Sequence, residues 1–227
     1  MNMSEYQIEC ISLSKQYTRN KQIVNAVEDI NLCISQNEMV IIKGRSGAGK
    51  STLLNLMSGL IKPTNGKVMI DNNCISELSN DALSELLLNR IGIIFQSFNL
   101  LPTYTIYENI EISLVPKGIK QMLVKETIMS FLEQFNLIDK AHLVPSELSV
   151  GQQQKVAVIR TLIKQPSIIF ADEPTGSVDD ETAGEILEHL MNLKKEKQVT
   201  LVIATHGNIP EKFADKVFTI ENGRLMN

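Results

Sequence analysis

The sequence predicts an α/β protein built on a mostly parallel sheet covered on both faces, and three observations carry that prediction. Short, nearly all-apolar runs of strand length alternate with longer segments whose apolar residues return at helical period, as a buried parallel sheet and its crossover helices read. One such run leads directly into a glycine-rich segment ending in Lys50-Ser51, and another into Asp172-Glu173. Sheets of this class place their ligand-binding groups at the carboxyl ends of strands. The 227 residues, 43% hydrophobic and 21% charged, suffice for one large domain, or one domain with an insertion, without disulfide staples.

Taken in order, Gln7 to Leu13 and Asn25 to Ile34 read as an early antiparallel pair. Met39-Val40-Ile41-Ile42, Ile91-Gly92-Ile93-Ile94-Phe95, Ser167-Ile168-Ile169-Phe170-Ala171 and Thr200-Leu201-Val202-Ile203-Ala204 fit strands buried on both faces. From Ser97 to about Arg160 strand-like runs give way to helical spacing, as in Ile128, Phe131, Leu132 and Phe135. This predicts a helical subdomain at residues 97–160 inserted into a sheet domain made of 1–96 and 161–227. Ala183, Ile186, Leu187, Leu190 and Met191 mark a further helix, and both stripes read as core faces. A last strand, Lys216 to Ile220, runs into Glu221-Asn222-Gly223-Arg224, whose Asn-Gly pair signals a tight turn.

Composition excludes several function classes. The formal charge of −4, from 22 Lys plus Arg against 26 Asp plus Glu, supplies no cationic field to gather nucleic acid, so none is expected as a partner. No apolar run exceeds about five residues, against about 20 for a membrane-spanning helix. Met1-Asn2-Met3-Ser4-Glu5 lacks the basic and apolar regions of a secretory signal, which predicts a cytoplasmic chain. Cys10, Cys33 and Cys74 form no C-x-x-C pair and read as buried, inert thiols.

Two motifs carry chemistry. Gly44-Arg45-Ser46-Gly47-Ala48-Gly49-Lys50-Ser51 matches G-x-x-x-x-G-K-[ST] in the strand-then-helix setting that motif requires. Its glycines let successive backbone N–H groups turn towards phosphate oxygens while the following helix presents its positive end to the same anion. Lys50 would reach the β- and γ-phosphates, and the Ser51 hydroxyl would take a place on Mg²⁺. Asp172 ends an apolar strand, where a carboxylate can help hold that ion. Glu173, one residue on, suits a general base that polarises an attacking water. An acidic loop capping a helix would look the same in isolation; the phosphate loop decides between them.

Further landmarks fall in a specific order: Gln96 after a strand, Leu148-Ser149-Val150-Gly151-Gln152 before a helix, then Ser177-Val178-Asp179, and His206 after the next strand. With these the chain closely resembles the ATP-binding cassette ATPases, the nucleotide-binding subunits of ABC transporters, from about Gln7 to Arg224. The resemblance implies a P-loop NTPase with a RecA-like core sheet, an antiparallel β-subdomain and the inserted helical subdomain. It implies ATP and Mg²⁺ as cofactors. Catalysis would fall to Glu173, His206, Gln96 and Lys50, and the metal to Ser51, Gln96 and Asp172. The nucleotide would contact Tyr17, stacking on adenine, the loop Gly44, Arg45, Ser46, Gly47, Ala48, Gly49, Lys50, Ser51 and Thr52, and the signature residues Ser149, Gly151 and Gln152. Asp179 would link two subunits.

One phosphate loop and one signature per chain imply a second copy of the chain, head to tail, each completing the other's site. With no spanning helix in the sequence, separate transmembrane permease subunits would receive the motion, and the chain would lie on the inner face of the cell membrane. Phe95 to Pro102, Gly151 to Gln154 and Ala171 to Gly176 are similar to the group containing lipoprotein-release, macrolide-efflux and antimicrobial-peptide-resistance ATPases. That points to an exporter or mechanotransmission complex, with a division-type regulatory ATPase as the alternative. A DNA-maintenance ATPase would need long insertions, and a translation-associated one two cassettes. The sequence departs from the family at Val150, where Gly is usual, and at Lys155 and Ile159. Were positive φ required at position 150, a β-branched residue would cost about 1–2 kcal/mol; a harmless substitution is the favoured reading. His142 and His189 match no motif and read as surface residues.

Overall fold

The computed structural model describes residues 6–19, 22–207 and 209–226; Met1–Glu5, which carry the reading of the amino-terminal segment, lie outside the described residues. The elements in order are β1 (Tyr6–Arg19), β2 (Gln22–Ser35), β3 (Met39–Lys43), α1 (Lys50–Met57), β4 (Asn65–Ile70), β5 (Asn73–Cys74), α2 (Asn80–Asn89) and β6 (Ile91–Ile94). They continue with α3 (Ile106–Glu111), α4 (Gln121–Gln134), α5 (Val150–Leu162), β7 (Ile168–Asp172), α6 (Asp180–Lys197), β8 (Thr200–Thr205), β9 (Lys216–Glu221) and β10 (Arg224–Met226). Among the described residues no helix is long and apolar enough to cross a membrane.

The apolar runs became the central strands. A six-stranded sheet has the order β10-β9-β3-β8-β7-β6, parallel except for the β9–β10 hairpin. Alternate residues of each run face opposite cores, as the two-residue period of a strand demands. Met39, Ile41, Ile169, Leu201 and Ile203 enter one core with α3, α4, α5 and α6. Val40, Ile42, Ile168, Phe170 and Val202 enter the other, closed by α1 and a second sheet. That sheet is antiparallel, in the order β2-β1-β4-β5.

The register puts the site at one level. Lys43 pairs with Thr205, Asp172 with Ala204 and Ile94 with Ala171, so β3, β8, β7 and β6 end together and release the glycine-rich loop, His206, Glu173 and Gln96 side by side. At the far edge Asn222 and Gly223 have φ of 49° and 80°, the pair of positive values that a two-residue hairpin turn of this type requires.

Several expectations need correction. β1 runs well past Leu13, because a bulge at Ser12, whose φ is 46°, breaks the alternation that a strand signal relies on. The strands β4 and β5 and the helix α2 were not expected. β4 opens on Asn-Gly and so reads as a turn; α2 has no fully buried residue, although its Ser79 cap and the spacing of Leu83, Leu86 and Leu87 were a usable signal. Of the three thiols Cys10 is buried, its pKa pushed up to about 12 by desolvation. Cys33, however, is exposed and Cys74 half-buried, since on β2 Cys33 lies on the outward side of the alternation between buried Leu32 and Ile34. His142 is exposed, whereas His189 is half-buried and stacks on Phe135 with ring centroids 3.8 Å apart.

Candidate functional site

A cleft of about 540 Å³ opens over the carboxyl ends of the central strands. Its floor is the loop after β3. Gly47 and Gly49 have φ of 79° and 109°, a region that costs side-chain-bearing residues free energy and glycine little. At Gly49 a Cβ atom would also stand 2.3 Å from the Ala26 carbonyl oxygen, so strand β2 passes too close for anything larger. No side chain caps α1 and its first turn holds no acid, which leaves its N–H groups and positive end directed at the cleft, the arrangement that receives an anion.

Lys50 is 6% exposed, and its Nζ donates to the carbonyls of Gly44 at 2.8 Å and Arg45 at 3.3 Å. The same Nζ lies 3.7 Å from Glu173 Oε1. Glu173 has a positive φ of 48°, uncommon outside glycine, and its carboxylate is held on several sides. Oε2 accepts from the Thr205 hydroxyl at 3.1 Å, and Oε1 accepts from the His206 backbone N–H at 2.8 Å and faces His206 Nδ1 at 2.6 Å. A buried carboxylate fixed this firmly, and open to the cleft beside a lysine, is placed to orient and deprotonate a small nucleophile.

Asp172 meets the Ser51 hydroxyl; its desolvation, only partly offset by that hydrogen bond, pushes its carboxyl pKa up. Its Oδ1 is buried without a hydrogen-bond partner, an acceptor whose burial costs free energy unless something meets it. Among the described residues no group of three or more His, Cys, Asp and Glu could hold a metal. A hydroxyl, one orphaned carboxylate oxygen and the amide of Gln96 on the same wall fit Mg²⁺, which takes one or two protein carboxylates and completes its shell with phosphate oxygens and water.

Of the expected residues Ser46, Gly47, Gly49, Lys50, Ser51, Thr52, Gln96, Asp172, Glu173 and His206 line the cleft. Gly44 and Arg45 take part through the carbonyls that hold Lys50, while Arg45 and Ala48 border an adjoining hollow with Glu221. Tyr17 does not line the cleft; it is 43% exposed and pairs across the ladder with Val24, which does. Ser149, Gly151, Gln152 and Asp179 are absent from it. Ser149 instead caps α5 in a reciprocal box with Gln152, at 3.3 and 3.0 Å, and Asp179 caps α6 through Thr182. Val150 sits in the first turn of α5, 48% exposed, and is not among the residues with positive φ, so the strain considered for it does not arise.

Sequence reasoning missed Thr205, Val24, Asn25, Ala26, Asn222 and Gly223. Thr205 stands between a buried strand and His206 and could have been found. Ala26 and Gly223 contribute through backbone approach, as when Gly223 donates to the Ala48 carbonyl at 2.9 Å, and no residue-type signal marks that; Val24, Asn25 and Asn222 line the cleft without belonging to any motif.

Chemistry on a terminal phosphate is what this cleft is arranged for, which places the protein in the class of P-loop nucleoside triphosphatases. The family model for the ABC transporter matches residues 27–176. The ABC transporter ATP-binding protein YtrE of Bacillus subtilis is 43% identical over 89% of this chain and 87% of its own length. The lipoprotein-releasing system ATP-binding protein LolD of Rickettsia bellii is 38% identical over 94% and 95%. A dimeric post-hydrolysis structure of the ATP-binding cassette MJ0796 of Methanocaldococcus jannaschii, bound to ADP and Pi, matches with a TM-score of 0.92 at 35% identity, covering 97% of each chain. The chain therefore belongs to the ABC transporter ATP-binding family and is an ATPase of that family.

Proposed function

We propose that this ATPase powers a membrane complex that works outward, as an exporter or mechanotransmission assembly on lipoprotein, peptide or drug-like substrates. Two copies pair head to tail, so that each cleft is closed by the other copy's Ser149, Gly151 and Gln152. The observation that carries this reading is the separation of those residues from the cleft: the cradle is built within one chain, which supports a lid supplied by another. The dimeric MJ0796 structure and the likeness to LolD support it.

The geometry supports the following division of labour. The N–H groups of the loop 44–52 and Lys50 bind the phosphates, and Tyr17, beside the cleft and paired across the ladder with its lining residue Val24, would stack on the base. Ser51, Asp172 and Gln96 would hold Mg²⁺, which when bound supplies charge that offsets the negative charge developing on the phosphate oxygens. Glu173, fixed by Thr205 and His206, takes the proton of the attacking water. Residues 97–160 act as the lobe that moves against the remainder. Its exposed Ile112, Val115, Ile119, Met122 and Leu123 form the kind of apolar surface that marks a protein partner, here the permease on the inner face of the membrane.

The test is hydrolysis by Glu173→Gln. The amide keeps the shape but cannot accept the proton, so kcat should fall by about 10²-fold or more while ATP is retained. A variant that hydrolyses at the parent rate contradicts the assignment.

A further inference from the structure

We infer that Gln154 is a positioning residue for hydrolysis, fixing the segment that carries Glu173 to the helix that begins at Ser149. The inference rests on the reading of Glu173 as the base and extends it to a residue with no contact to the cleft. Gln154 is 2% exposed. Its Nε2 donates to the backbone carbonyl of Pro174, the residue after Glu173, at 2.7 Å. Because that carbonyl can only accept, the carboxamide must turn its N–H outward to it, and its own Oε1 is left buried with no partner. A glutamine that secures one backbone carbonyl and orphans its own acceptor is poorly explained by stability, since burying an unpaired oxygen opposes folding.

The surrounding contacts show what the bond holds. Gly151, one turn earlier on α5, is so close to α6 that a Cβ there would stand 3.0 Å from Thr182 Oγ1. The first turns of α5 thus grip the stretch after Glu173 twice, at Pro174 and at Thr182, and the Lys155–Glu185 ion pair adds a third tie. At the front Glu173 is held through its carboxylate and through its N–H, which donates to Ala204 O at 2.9 Å, and its carbonyl accepts from the Gly176 N–H at 3.1 Å. Its backbone, at positive φ, is steadied from behind by Gln154. Ser149 and Gln154 lie about 7.5 Å apart along one helix, so a displacement at the capped end of α5 passes to Pro174 without an intervening loop.

The experiment uses the full chain and steady-state ATPase kinetics. Gln154→Met preserves length and bulk but removes the donor; it should lower kcat about ten- to a hundredfold and leave KM for ATP within about twofold. Gln154→Glu can donate to Pro174 O only when protonated, a form that burial favours. Its rate relative to the parent should therefore rise as pH is lowered from about 8 to about 6, whereas the Gln154→Met ratio stays flat. This ratio decides the matter even if Gln154→Met fails to fold. Parent-like kcat in Gln154→Met, a loss shared equally by kcat and KM, or a flat Gln154→Glu ratio would each overturn the inference. Glu173→Gln measured in parallel separates the two claims: if it is inactive while Gln154→Met runs at the parent rate, only the role of Gln154 falls. If Glu173→Gln hydrolyses normally, the base assignment falls and takes this inference with it.

Discussion

Val150 illustrates how a residue can break a motif without breaking the machine. It opens α5 in an ordinary helical conformation with its side chain half in solvent, where a β-branched residue costs a few tenths of a kcal/mol at most. Val150→Gly should therefore hydrolyse ATP within about twofold of the parent; a severalfold gain in rate would show instead that Val150 restrains closure. At this scale the site was largely legible. Lys50, Ser51, Asp172, Glu173, Gln96 and His206 announce themselves by type and order, because phosphate and proton chemistry admits few side chains. Ala26 and Gly223 do not, because they act through main-chain atoms available to any residue, and Gln154 does not, because nothing in its own neighbourhood of sequence names Pro174 as its partner.

Among the elements, the central strands were legible because burial on both faces leaves an unbroken apolar run. The periphery was not. β1 hides its length behind the bulge at Ser12, β4 starts like a turn, and α2 covers the sheet only partly. The ends of β2, β3 and β9 are tied together by Glu38, whose carboxylate accepts from the Ser35 N–H at 2.8 Å and from Lys216 at 2.9 Å. Burial opposes ionisation of Glu38, but Lys216 and the Ser35 amide outweigh it and hold its pKa below the ordinary value. A lowered carboxylate pKa stabilises the fold above the usual glutamate value of about 4.3, and that contribution is lost as pH falls through the lowered value. Glu38→Gln should accordingly melt a few degrees lower than the parent at neutral pH, with the gap closing under acid. A gap that is constant across pH would remove the electrostatic explanation.

For the whole molecule, one sheet with two cores brings four strand ends to a common level and builds a phosphate cradle that lacks a lid. The helix that would supply the lid starts elsewhere, at Ser149, and it bonds to Pro174, next to Glu173, at 2.7 Å and, through Arg160, to the carbonyls of Phe98 and Asn99 just after Gln96, both at 2.7 Å. On the proposed reading, an incomplete site on each of two identical chains would be completed by their association, and cleavage of the bound triphosphate would then release it. Association is therefore the quantity to measure. Light scattering on Glu173→Gln with saturating ATP and Mg²⁺ should give twice the mass of one chain, returning to one without nucleotide; a mass that stays at a single chain while calorimetry shows ATP bound would contradict the shared site.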